Sequence, residues 1–138
     1  MKKGFTLIEV IAVIFILGIL SSIAGVTYTT ISNNHKKKSC ENLKMQIENA
    51  AIEYVQDGHI SLPTPAKHTC CQDNYCACVE YNNSQPNKKK TIIYDGYLEA
   101  GLKNPIDDKT LEKVTIRVEY DKVKDIYKAN ITEDFCNK

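Results

Sequence analysis

The chain lacks several features that common classes of small protein need. It has no tryptophan and a net charge of only +1, from 18 Lys and Arg against 17 Asp and Glu. It therefore lacks the basic excess of a dedicated nucleic-acid binder. It contains no glycine-rich phosphate loop, so any ATP-driven step would depend on another protein. Its three histidines, His35, His59 and His68, lie in polar or loop contexts and are expected to be solvent-exposed. The sequence predicts no enzyme activity, no catalytic residue and no cofactor.

Apolar residues are concentrated in one segment near the N-terminus. From Val10 to Leu20 no side chain is polar, and the wider segment Phe5–Val26 contains a single ionisable residue, Glu9. This length suits a membrane-spanning helix, which needs roughly 20 residues. Lysines lie on both sides of the segment, so the positive-inside rule gives no orientation.

Composition leaves three interpretations of this segment. It is a permanent single-span anchor, a secretory signal peptide with Ser22-Ile23-Ala24 as the cleavage site before Gly25, or a span that later packs among copies of itself. Glu9 favours the third interpretation. An unpaired carboxylate inside hydrocarbon costs about 2.5–3.5 kcal/mol on insertion scales, so Glu9 needs a partner there.

Residues 1–10 read MKKGFTLIEV and resemble the N-terminus of type IV prepilins and pseudopilins. The resemblance implies that a membrane-embedded peptidase cleaves between Gly4 and Phe5 and N-methylates Phe5. It also implies that Glu9 recruits subunits, since the new amine at Phe5 can neutralise Glu9 of a neighbouring subunit. A buried charge pair of this kind fixes register more than it stabilises.

The same resemblance implies partners and a location. The protein is expected in the cytoplasmic membrane as a single-pass protein with its head outside, and then at the cell surface in a homo- or heteropolymer with other pilins. The prepilin peptidase, an assembly ATPase and its membrane platform are further expected partners. Such filaments serve adhesion, motility, DNA uptake or secretion, and the sequence does not distinguish a major from a minor subunit. Nucleic acid is a weakly supported partner, because the lysine run 88–90 lacks interleaved aromatic residues.

Pilins continue the first helix beyond the membrane, and the pattern after residue 39 agrees with this. Less polar residues recur every three or four positions, as on one face of a helix: Cys40, Leu43, Ile47, Ala50, Ala51, Tyr54 and Val55. Asp57-Gly58 predicts the end of the helix, with Pro63 and Pro65 beyond it. A helix from Phe5 to Asp57 would be about 80 Å long, more than a small protein needs for its own core.

The alternation of apolar and polar residues in the C-terminal part of the chain predicts a small antiparallel sheet. Val114, Ile116, Val118 and Tyr120 alternate with polar residues, and Ile126–Ile131 is the expected return strand after a turn at Asp121–Asp125. Thr91–Tyr94 is a further strand candidate. Asp95–Gly101 is expected to form a helical turn, with the side chains of Tyr97, Leu98 and Leu102 turned inward. Asn104–Asp107 is expected to form a turn.

Together these patterns predict an α+β protein. A long N-terminal helix, membrane-spanning in its first half and amphipathic in its second, packs on the antiparallel sheet of the head. The expected organisation is a leader peptide at 1–4, a transmembrane and filament-core helix at 5–28, its amphipathic continuation at 29–57, and a cysteine-rich head at 58–138.

Six cysteines are unusual in so short a chain. Four of them, which we call the cluster cysteines, have the spacing Cys-Cys-x4-Cys-x-Cys: Cys70, Cys71, Cys76 and Cys78. With His68 nearby they raise the question of a zinc or copper site. The cluster has no CxxC pair, however, and disulfides persist outside the cell. We therefore predict disulfides and no metal.

The sequence does not fix the disulfide pairing. A vicinal Cys70–Cys71 bridge would be strained, and Cys76–Cys78 is almost as tight. We expect Cys40 and Cys136 each to pair with a cluster cysteine or with each other, and the remaining cysteines to pair across the loop Gln72–Tyr75. The alternative to a pilin is a secreted or membrane-anchored cysteine-rich binding module with metal as a candidate ligand. That alternative predicts a mature N-terminus at Gly25 or an uncut chain.

Overall fold

One long helix and three strands make up the secondary structure of the described chain. The computed structural model describes residues 4–63, 70–71, 75–88 and 91–137, without the side chains of residues 23–27. The elements follow in the order α1 (Leu7–Gln56), β1 (Cys76–Asn82), β2 (Lys113–Asp121) and β3 (Ile126–Ile131). The fold class is α+β, as predicted.

The chain divides into two units, an N-terminal unit of Met1–Lys36 and a C-terminal unit of Lys37–Lys138. Among the described residues, no helix is both long enough and apolar enough to cross a bilayer. The predicted span Phe5–Val26 includes positions 23–26, whose side chains lie outside the described residues.

Helix α1 ends where the sequence predicted a stop. The N–H of Asp57 donates to the carbonyl of Glu53 at 2.9 Å, and the N–H of Gly58 donates to the carbonyl of Val55 at 3.1 Å. Gly58 has φ +84°, a left-handed conformation that glycine adopts without a Cβ clash. Of the two prolines predicted beyond the helix, Pro63 is described, whereas Pro65 lies outside the described residues.

The three strands form one antiparallel sheet in the order β1-β2-β3. Val79 of β1 pairs with Ile116 of β2, which pairs with Ile131 of β3. Residues alternate between faces along each strand. The inner face therefore carries six buried apolar residues of β1 and β2, which are Ala77, Val79, Tyr81, Val114, Ile116 and Val118.

The core of the C-terminal unit joins α1 to the sheet. All seven residues of the predicted helix stripe are buried, from Cys40 to Val55. Six of them, all but Ala50, belong to one hydrophobic cluster with the inner face of the sheet, Ile92, Leu111 and Phe135. Tyr97, Leu98 and Leu102 are partly buried against this cluster, as expected.

One predicted strand is wrong, and one strand of the structure was not predicted. Thr91–Tyr94 is not a strand, because the Thr91 hydroxyl accepts the N–H of Tyr94 at 3.3 Å and the N–H of Asp95 donates to the Thr91 carbonyl at 3.2 Å, which closes a turn. Strand β1 was not predicted, although Ala77, Val79 and Tyr81 alternate with more exposed residues. The predicted turns at 104–107 and 121–125 and the strands β2 and β3 are present.

Candidate assembly site

Helix α1 begins with a hydrogen-bonded cap that involves Glu9. Glu9 Oε2 accepts a hydrogen bond from the N–H of Thr6 at 3.0 Å and another from the Thr6 hydroxyl at 2.9 Å. The carbonyl of Thr6 accepts the N–H of Glu9 at 3.1 Å. A side chain at the third helical position that reaches back to the residue before the helix is one half of a capping box. The carboxylate is therefore already held close to the start of α1 within one chain.

Sequence reasoning singled out Glu9 but missed Thr6 as its partner within the chain. The signal was present, because a Thr followed three residues later by Glu before an apolar run is the pattern of a capping box. The expected cleavage residues Gly4 and Phe5 come directly before this cap. Phe5 is 86% exposed.

The N-terminal unit presents a continuous apolar surface from Phe5 to Leu20, which we call the exposed apolar surface. Its large apolar side chains are all exposed, and Val10, the most covered of them, is still 48% exposed. Burying one Val, Leu, Ile or Phe side chain is worth about 1.5–3 kcal/mol. A surface of this extent therefore indicates a site that another apolar partner covers.

Polar groups next to this surface are satisfied within the helix. The hydroxyl of Ser21 donates to the carbonyl of Leu17 at 2.8 Å, and the hydroxyl of Ser22 donates to the carbonyl of Ile19 at 2.7 Å. Such back-bonding to the preceding turn leaves no free hydroxyl donor at these two positions. The serines are thus compatible with an apolar environment.

The C-terminal unit is held together by covalent and polar ties to α1. Cys40 of α1 forms a disulfide with Cys136, which is one of the pairings that the sequence left open. The side-chain amide of Asn104 donates to the carbonyl of Phe135 at 3.0 Å, and Phe135 directly precedes Cys136 in the sequence. Glu48 accepts the N–H of Ile131 at 3.2 Å, so α1 also holds the end of β3.

The cluster cysteines form two disulfides, Cys70–Cys78 and Cys71–Cys76. Both cross the predicted loop Gln72–Tyr75, of which residues 72–74 lie outside the described part. No cysteine of the chain is free. The bridges fasten the segment before β1 to the strand itself.

The histidines do not form a catalytic arrangement in the described part of the chain. His59 stacks on Tyr54 with ring centroids 4.5 Å apart, and its Nε2 lies 3.1 Å from the Tyr97 hydroxyl oxygen. Tyr97 donates to Asp57 at 2.5 Å, and this bond raises the pKa of Tyr97 to about 12. This cluster packs around the end of α1. His35 is exposed, and His68 lies outside the described residues.

Comparison with known proteins identifies the family of this chain. Residues 1–25 match a family model described as the prokaryotic N-terminal methylation motif. The chain is 32% identical over 101 residues to Competence protein ComGC of Bacillus subtilis (strain 168). The alignment covers 72% of this chain and 96% of that protein. No solved structure is significantly similar. The chain therefore belongs to the type IV pilin family, whose members are structural and not enzymatic, as a pilus-like pseudopilin subunit.

Proposed function

We propose that this protein is a structural subunit of a pilus-like filament that serves DNA uptake. The observation that carries the proposal is the exposed apolar surface with Glu9 inside it, since such a surface needs many apolar partners at once. The similarity to a competence protein favours DNA uptake over adhesion, motility or secretion.

Processing would complete the assembly site. Cleavage after Gly4 would create an amine at Phe5, directly before the cap formed by Thr6 and Glu9. Both hydrogen bonds from Thr6 go to Oε2 of Glu9, and a carboxylate has about four lone-pair sites. The carboxylate can therefore keep its own cap and also accept the methylated amine of a neighbouring subunit. In this way one side chain would start the helix and set the register between subunits.

The same surface would have two successive environments. Before assembly, residues 5–26 would lie in the cytoplasmic membrane with the head outside, where disulfides persist. In the filament, helices of other pilins would replace the lipid around the exposed apolar surface. Apolar helices in a membrane or a filament pack through close contacts and a small number of polar pairs. Because Glu9 is the single charge in this segment, its pairing would fix the register between neighbouring helices. The peptidase, the assembly ATPase and its membrane platform would act on the subunit.

The first test is the mass and N-terminal sequence of the protein extracted from its native membrane. We expect a chain that begins at N-methylated Phe5. A chain that begins at Gly25, or that retains Met1, would support the cysteine-rich binding module instead.

The second test separates the two roles of Glu9. Glu9→Gln keeps an oxygen acceptor for Thr6 but removes the charge, whereas Glu9→Ala removes both. We expect both variants to be inserted and cleaved normally and both to be strongly depleted from sheared filaments. Normal incorporation of Glu9→Gln would show that the cap alone matters and would contradict the register role.

The third test concerns the process that the filament serves. Deletion of the gene should abolish transformation by extracellular DNA, and the wild-type gene supplied in trans should restore it. Unchanged transformation with a loss of protein secretion would contradict DNA uptake and leave the family assignment intact.

A further inference from the structure

The two disulfides of the cluster cysteines lie in contact with each other. Cys71 Sγ lies 3.7 Å from Cys70 Sγ and 3.7 Å from Cys78 Sγ, although neither is its disulfide partner. The Sγ atoms of Cys70, Cys71 and Cys76 all lie within 4.8 Å of one another. Four sulfurs from two short pieces of chain thus form one compact group.

We propose that the cluster cysteines, in their thiol form, bind one soft or borderline cation such as Zn²⁺ as a tetrathiolate site. Zn–S bonds of about 2.3 Å in a tetrahedron place neighbouring sulfurs about 3.8 Å apart. The two non-bonded separations of 3.7 Å already match this edge. When the disulfides are open, the other sulfurs can move apart to the same spacing around a central ion.

The fold supplies what the sequence spacing lacks. Zinc sites commonly use CxxC pairs, and this chain has none in the cluster. Cys76 and Cys78 instead lie two residues apart on β1, so both side chains are on the same face of the strand. Cys70 and Cys71 come from the segment before β1. Cys71 and Cys76 are almost fully buried, as expected for a closed structural site without an open position for substrate.

A nearby cation provides independent support. Arg117 of β2, the one arginine of the chain, pairs directly with Cys78 of β1. Residues directly opposite in an antiparallel pair have side chains on the same face. Arg117 Nε is buried and has no hydrogen-bond partner among the described residues, while its Nη2 pairs with Glu119. Four thiolates on Zn²⁺ carry a net charge of −2, so a guanidinium on the same face of the sheet as Cys76 and Cys78 suits the site. Donors of this kind orient metal ligands.

The proposed chemistry needs no reductant, because the newly made chain carries thiols. Binding forms four Zn–S bonds, breaks four S–H bonds and releases four protons to solvent. Closing the two disulfides instead removes two electrons per bond, which an external disulfide takes up as it is reduced to two thiols. The metal-bound and disulfide forms therefore exclude each other, and oxidation of the cluster would release the ion.

The test uses the full chain in detergent micelles. The protein is reduced with a phosphine under anaerobic conditions, freed of the reductant and titrated with Zn²⁺. We expect one Zn²⁺ per chain after gel filtration, and protection of the cluster cysteines, but not of Cys40 and Cys136, from alkylation in peptide maps. Co²⁺ in place of Zn²⁺ should show thiolate charge-transfer bands and the intense d–d bands of a tetrahedral site. The oxidised protein should bind none.

Matched variants locate the site. Cys40→Ser with Cys136→Ser should still bind one Zn²⁺, whereas Cys76→Ser with Cys78→Ser should bind none. Arg117→Leu should weaken binding about 10–100-fold, the usual effect of losing a donor to a metal ligand, and Arg117→Lys should weaken it less. If the Cys76 and Cys78 variant does not fold, the alkylation map of the wild type decides. Absence of Zn²⁺ from the reduced wild type, or protection of Cys40 and Cys136 instead of the cluster, would overturn the proposal.

Discussion

The two ends of α1 differ in how their apolar side chains are exposed to solvent. Between Phe5 and Leu20 apolar side chains lie on all sides of the helix and are exposed. Between Cys40 and Val55 they form one stripe, and this stripe is buried against the sheet. The rest of the chain covers the apolar stripe, whereas it leaves the exposed apolar surface uncovered, and a helix that is apolar on all sides is normally buried. The first stretch thus depends on molecules outside the chain, and the second depends on the fold.

The largest effect on the fold is expected from the disulfide between Cys40 and Cys136. These residues are 96 positions apart, and closing a loop of this size is worth about 4–5 kcal/mol in the chain-entropy model. Cys40→Ser with Cys136→Ser should therefore strongly lower the urea midpoint of the C-terminal unit, followed by tyrosine fluorescence in detergent. The helical signal of the N-terminal unit should persist at urea concentrations that unfold the rest. An unchanged midpoint would show that packing alone holds the stripe of α1 in place.

A pair of isoleucines compares the two stretches directly. Ile47 is fully buried in the core, and Ile14 is 60% exposed. Ile47→Ala should lower the free energy of unfolding of the C-terminal unit by about 2–5 kcal/mol, through lost burial and the cavity left behind. Ile14→Ala should leave that free energy unchanged. Equal effects of the two substitutions in the same urea titration would contradict the division into a self-covered and a partner-covered stretch.

The sequence predicted the parts of the fold whose pattern is strongly periodic. The stripe of α1 and the alternation of β2 and β3 have periods that only one secondary structure satisfies. Strand β1 was not predicted, because Ala77 is a weak strand former and only Val79 and Tyr81 of this strand favour a sheet. Thr91–Tyr94 was predicted as a strand from its β-branched residues, but the Thr91 hydroxyl closes a local turn instead.

The candidate site was predicted in part for a similar reason. The motif around Glu9 is local in sequence, so its resemblance to prepilins could be recognised directly. The position of Arg117 beside Cys78 depends on the register between β1 and β2, which no local pattern specifies. Sequence spacing likewise gives no account of four sulfurs that a strand and its preceding segment bring together.

A smaller effect is expected at the contact between α1 and the edge strand β3. Glu48 accepts the N–H of Ile131 at 3.2 Å, and one such hydrogen bond is worth about 1 kcal/mol. Glu48→Ala should speed amide exchange at the end of β3 about fivefold, as measured by hydrogen–deuterium exchange mass spectrometry. Glu41→Ala is the matched control, since Glu41 is an exposed acidic residue of the same helix. Equal exchange in the two variants would show that β3 does not depend on this contact.

The smallest expected effect is a pH dependence confined to the C-terminal unit. Burial acts to raise the pKa of Glu80, but hydrogen bonds and charges from Lys113 and Lys88 outweigh it and lower the pKa below its ordinary value of 4.5. Their Nζ atoms lie 3.2 and 3.4 Å from the Glu80 carboxylate. Because the folded pKa is the lower one, this contribution is present above about pH 4.5 and is lost as the pH falls through the folded pKa.

Both lysines are more than half exposed, so the contribution should be only about 0.5 kcal/mol. Glu80→Gln should therefore lower the free energy of unfolding slightly at pH 7, and the difference from the wild type should shrink towards pH 3. Glu99→Gln, at an exposed acidic position, is the matched control. If the difference for Glu80→Gln grew on acidification, the sign of the Glu80 contribution would be wrong.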